Sequence, residues 1–109
     1  MSWPSYRKFN NQPVIIEGRR FPSKAEGRRY EELRKGERAG IFRDLKCQPR
    51  FPIVINGQKV CDYVADFKYY DVERNREVIE DVKGMKTPIY NLKKKLVLAV
   101  LGLEIIEIS

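Results

Sequence analysis

The chain alternates short apolar runs with longer polar ones, and the spacing inside each predicts its form. In "VIIEGRRF", Val14 to Phe21, two runs flank Gly18, the pattern of a short hairpin turning at that glycine. "PSKAEGRRYEELRKGERAG" places Glu26, Tyr30 and Leu33 on one face at about 3.6 residues per turn. This predicts a helix with Ser23 as its N-cap that ends near Gly40. "CQPRFPIVINGQKVCDYVADFKYYDV" predicts a strand up to Ile55, a tight turn at Asn56-Gly57 and a long second strand from about Lys59 to Tyr70. A third strand, "REVIEDVKG", follows the turn-forming "DVERN". "TPIYNLKKKLVLAVLG" predicts a second helix with Pro88 in its first turn, and "LEIIEIS" a closing strand.

The predicted order is hairpin-α-β-β-β-α-β, which argues for an α/β layered fold rather than a bundle or a sandwich. The last strand-helix-strand step should pair its strands in parallel through a right-handed crossover. At 109 residues the chain has room for one core, so residues 13–109 are expected to form one domain. Residues 1–12, "MSWPSYRKFNNQ", mix aromatic, basic and amide side chains without a period and are expected to form an arm.

Charge adds a partner to this picture. The net charge is +7, and residues 1–50 carry 13 Lys and Arg against 6 Asp and Glu, whereas residues 51–109 carry 9 of each. A basic half joined to a neutral half with clustered acids suits a protein that grips a polyanion and keeps an acidic pocket for something else. The two cysteines, Cys47 and Cys61, lack CxxC spacing, and the chain has no histidine, so a tetrahedral zinc site would lack ligands. Both are expected to be reduced structural thiols. "LVLAVLGLEII" is too short and interrupted to cross a bilayer, and no secretory leader is evident, so no membrane partner and a cytoplasmic location are expected.

The stretch "VIEDVKG" carries the candidate chemistry. Strand alternation sends Val78, Glu80 and Val82 one way and Ile79, Asp81 and Lys83 the other. A carboxylate beside an ammonium can ligate a hard divalent cation with one group and position a water with the other. The same spacing also suits a solvated ion pair at a sheet edge. Asp66, inside the apolar run "CDYVADFKYY", weighs against that second possibility, because a buried carboxylate needs a partner. If "DVERN" closes a hairpin, Asp66 and Asp81 fall on adjacent strands within reach of one metal ion. Glu26 supplies a third acid from the buried stripe of the first helix, with Glu37 near the same stripe. Ser23-Lys24-Ala25-Glu26 equally matches the S-x-x-E capping box, in which Glu26 reaches back to the Ser23 amide.

"FPSKAEGRRYEEL", "LKCQPRF", "YVADFKYYD" and "IEDVKGMKTPIYNLKKKL", in this order, resemble the small phage-borne nucleases of the PD-(D/E)XK superfamily, a group similar to archaeal-type Holliday-junction resolvases. The resemblance spans about Arg20 to the C-terminus. It implies a restriction-endonuclease-like fold, a central mixed sheet flanked by helices. Asp66 matches the first motif acid, with Ala65 where the motif has its proline. Asp81 and Lys83 match the (D/E)-x-K element, with aspartate where glutamate is commoner, and Glu26 matches the helix acid that completes the metal site. Gln48 resembles a glutamine-proline element also seen in transposon-end nucleases, although a strand-edge hydrogen-bonding role is equally open to it.

The implied cofactor is Mg²⁺, with Mn²⁺ able to substitute, held by Asp66, Asp81, Glu26 and the Val82 carbonyl. Lys83 would orient the attacking water or stabilise developing charge. The implied partner is branched double-stranded DNA, gripped by Arg19, Arg20, Arg28, Arg29, Lys86, Lys93 and Lys94. Tyr90 would lie on the same side of the second helix as Lys93 and Lys94, near the metal. A four-way junction needs two symmetric nicks, which implies a homodimer. Three other readings stay open: a structure-selective or nicking endonuclease of another specificity, a non-catalytic nucleic-acid-binding module, and a protein-binding subunit.

Overall fold

The computed structural model describes residues 12–82 and 86–108. Val14–Ile16 (β1) and Arg19–Phe21 (β2) form the first hairpin, turning through Glu17 and Gly18, both at positive φ. Helix α1, Lys24–Arg38, starts where the sequence predicts it: the Ser23 hydroxyl accepts the Glu26 amide at 3.1 Å. It stops at Ala39, and Gly40 follows in the left-handed region.

Five strands then follow where three are expected. Phe42–Cys47 (β3), Arg50–Ile55 (β4), Gln58–Val64 (β5), Phe67–Asp71 (β6) and Arg76–Val82 (β7) precede helix α2, Pro88–Leu96, and Ile105–Ile108 (β8) closes the chain. β3 is an addition to the predicted order. The single long strand expected from Lys59 to Tyr70 is corrected to two, β5 and β6, separated at Ala65 and Asp66. The break is set by pairing. β5 belongs to the β4–β5 hairpin, whereas β6 lies between β3 and β7.

Among the described residues the main sheet runs β3-β6-β7-β8. β3/β6 and β6/β7 are antiparallel and β7/β8 is parallel, so the sheet is mixed, and the last crossover is parallel as predicted. α1 and the first hairpin cover one face, where Phe21, Tyr30, Leu33, Phe67, Tyr69 and Val78 make a core. α2 and the β4–β5 hairpin cover the other, around Ile53, Tyr63, Ile79, Tyr90, Val97 and Ile105. Cys47 packs against the first of these cores and Cys61 against the second, and both thiols are free. Beyond α2 the chain passes through a π-helical turn, Val97–Leu101, and Gly102 ends it at φ 69°. No helix among the described residues is long and apolar enough to cross a membrane.

Candidate active site

The β6–β7 register places Phe67 opposite Glu80, so one residue further along Asp66 faces Asp81. Cross-strand neighbours share a face at roughly 5 Å between Cβ atoms. Two main-chain amides then lock the pair. The Asp66 amide donates to Asp81 Oδ1 at 3.1 Å and to the Glu80 carbonyl at 3.1 Å, and the Val82 amide donates to Asp66 Oδ2 at 2.7 Å. Each carboxylate is thus tied to the backbone of the other's strand, which fixes its plane. Asp81 is 0% exposed.

Gln48 supports this arrangement through its backbone. At φ 53° it turns β3 into β4, and its amide donates to the Asp66 carbonyl at 2.8 Å. A non-glycine residue in that region is uncommon and marks a position whose surroundings hold it there.

Alternation along β7 is as predicted. Ile79 and Asp81 face α2, while Val78 and Val82 pack with the α1-side core. Glu80 also turns toward α1, where it is 1% exposed and accepts both Arg29 Nε at 2.8 Å and Arg29 Nη2 at 2.7 Å, along with the Tyr69 hydroxyl. Burial and the Glu80 hydrogen bond push the Tyr69 phenol above its usual range. Arg29, expected at the DNA surface beside Arg28, is engaged by this carboxylate and by Glu32 at 3.0 Å. A bidentate guanidinium is the partner a buried carboxylate requires.

The α2 face holds an acid that the sequence reading missed. In the parallel β7–β8 register Asp81 pairs with Glu107. The Glu107 carboxylate accepts the Tyr90 hydroxyl at 2.9 Å, Lys86 Nζ at 2.9 Å and Lys94 Nζ at 3.2 Å. Lys86 and then Tyr90 pull its carboxyl down to about 2. Burial raises the Tyr90 phenol, aided by its bond to Glu107 and by the charges of Asp81 and Asp66. Tyr90 is thus bonded to Glu107 and lies within electrostatic reach of Asp81 and Asp66. Period-2 alternation in "LEIIEIS" places Glu107 with Ile105, but its pairing with Asp81 depends on a crossover register that no local pattern encodes.

The other predicted residues are distributed as follows. Glu26 is buried in the first turn of α1. Among the described residues no group of three or more Asp, Glu, Cys or His side chains could hold a metal ion. Of the expected acids, Asp66 and Asp81 are brought together across β6 and β7, and Glu26 is buried on α1. Glu37, the other acid on that stripe, accepts Arg34 Nη1 at 2.5 Å and the Leu45 amide at 3.1 Å, tying α1 to β3. Lys83 lies outside the described residues, as does the arm up to residue 11. Lys93 Nζ donates to the Asp62 carbonyl at 3.0 Å, joining α2 to β5. Arg19, Arg20 and Arg28 are exposed on β2 and α1, on the opposite side of the sheet from Lys86, Lys93 and Lys94.

A mixed sheet with helices on both faces, and acids gathered at one end of adjacent strands, defines a small α/β protein with a built polar site. Residues 6–101 match the family described as "Protein of unknown function (DUF1064)", and the chain belongs to that family. No curated protein and no solved structure matches it.

Proposed function

We propose that this protein is a metal-dependent endodeoxyribonuclease that nicks branched DNA, acting as a homodimer on four-way junctions. The observation that carries the reading is the Asp66–Asp81 pair, with both carboxylates anchored by main-chain amides on adjacent strands. The resemblance of the motif blocks to PD-(D/E)XK nucleases supplies the reaction class.

The donor set suits the cation. Mg²⁺ is held by one or two carboxylates and keeps several waters, so Asp66, Asp81 and the Val82 carbonyl would form the centre of the site, with Glu26 as the third acid that the resemblance implies. A divalent ion bound there supplies a water of lowered pKa and offsets charge on the scissile phosphate. Asp66 and Asp81 hold fixed orientations, which lowers the reorganisation that binding requires. Lys86 and Lys94, paired with Glu107 beside Asp81, are placed to exchange that carboxylate for a phosphodiester oxygen. Lys83, two residues after Asp81, takes the motif's role of orienting the water. A chain without histidine lacks the usual base for a hydroxyl nucleophile, which favours direct attack by water.

The test is incubation with labelled four-way junction, flap, nicked and linear duplexes, in Mg²⁺ or in EDTA. Metal-dependent paired nicks confined to the junction are expected. Cleavage of flaps or nicked duplex instead would move the specificity within the class. Tight binding with no cut under any metal would replace the enzyme by a binding module.

A further inference from the structure

Helix α2 and the π-helical turn carry apolar side chains that the core does not use. Tyr90 and Val97 are buried against the sheet, whereas Ile89, Leu92 and Leu98 are 64%, 55% and 57% exposed, and Val100 and Leu101 are exposed as well. Five large apolar residues on one 13-residue segment exceed the scattered exposure normal for a soluble domain. Beside them, a groove of about 430 Å³ opens between α2 and the start of β8, lined by Asn91, Lys94, Lys95, Leu98, Leu103, Glu104 and Ile105. β8 is also an edge strand of the sheet, so nothing among the described residues pairs with its outer side.

We infer that this face is an isologous contact with a second copy of the chain, centred on Leu98. The rim of the groove argues for that occupant. Lys95 and Glu104 both line it, both are exposed, and neither forms an ion pair among the described residues. A two-fold axis near Leu98 sets the Lys95 of each copy against the Glu104 of the other, around an apolar centre contributed equally by both. Lys94, which also lines the groove, is paired with Glu107, so the charges left without an ion pair at the rim are one of each sign beside a leucine; such a patch is self-complementary, which is the requirement of a closed two-fold interface. The interface rests on its own observations, while its purpose, presenting two sites to one junction, rests on the nuclease reading above.

The experiment is sedimentation equilibrium of the full chain in EDTA without DNA, so that its outcome is independent of whether the protein cuts anything. The wild type should be a dimer. Leu98→Glu should weaken self-association by at least about a hundredfold, since a charge would be buried twice at the centre. Lys95→Glu and Glu104→Lys should each weaken it by about tenfold, because each change acts twice across the axis, and the double swap should restore it. All three positions are at the surface, and circular dichroism checks that each variant folds. A monomeric wild type, a swap without rescue, or variants that dimerise as the wild type does would each overturn the inference. So would hydrogen exchange showing this face of a monomer protected only when residues 1–11 are present, which would make the cover a part of the same chain.

Discussion

Asp66 and Asp81 hold each other's strands: the Asp66 amide donates to Asp81 Oδ1 at 3.1 Å, and the amide that follows Asp81, that of Val82, donates to Asp66 Oδ2 at 2.7 Å. The exchange sets two acids side by side at the end of β7, where mutual repulsion would otherwise drive them apart. A divalent cation held as the proposed function requires would offset that repulsion. In a Mn²⁺ titration followed by calorimetry without DNA, Asp66→Asn and Asp81→Asn should each weaken binding by more than about a hundredfold, beyond the loss of an outer partner. Equal affinity in the wild type and both variants would remove the metal from this pair.

The buried carboxylate of Glu80 depends on Arg29. Arg29→Ala would leave that charge with only the Tyr69 hydroxyl among the described residues, and should cost about 3 kcal/mol in urea unfolding. Glu32→Ala removes only the exposed partner of the same guanidinium and should cost less than about 0.5 kcal/mol. Similar losses in the two variants would mean that the buried pair is no more important than the surface one.

Gly36 lies where α1 crosses Phe42. A Cβ there would come within 2.7 Å of Phe42 Cε2, and the Phe42 ring is already packed against Tyr69, with centroids 4.6 Å apart. Gly36→Ala should therefore destabilise by about 1–3 kcal/mol, although alanine in an open helix would contribute up to about 1 kcal/mol. A net gain in stability would show that the ring can yield.

Glu107 predicts an acid response. Its carboxyl falls from 4.5 to about 2 in the folded chain, so its contribution is complete above pH 4.5 and is lost as the pH falls through 2. Glu107→Gln should be less stable than the wild type at neutral pH, and the two unfolding midpoints should converge as the pH falls toward 2. Parallel curves would separate Glu107 from its lysines.

What could be read from the sequence was local. Ser23, Pro88, the Asn56-Gly57 turn and the "DVERN" turn act within a few residues of themselves, and the Asp66–Asp81 neighbourhood follows from that last turn alone. β3 was not legible because Asp44, at φ 58°, sits in a register shift between Arg43 and Lys46 that breaks the alternation of "FRDLKC". The break at Ala65 was hidden because the residues on both sides stay apolar, and only their different partners separate β5 from β6. Glu80 and Arg29 are 51 positions apart, and Glu107 reaches Asp81 through a parallel register, so both contacts exist only in the assembled sheet.

The most direct test of the central claim is single-turnover cleavage of a labelled four-way junction in Mg²⁺ by the wild type and by Asp81→Asn, with junction binding measured in EDTA. Paired nicks by the wild type, loss of cutting by more than about a hundredfold in the variant, and binding retained in both are expected. Equal cutting by Asp81→Asn, or none by the wild type despite tight binding, would contradict that claim.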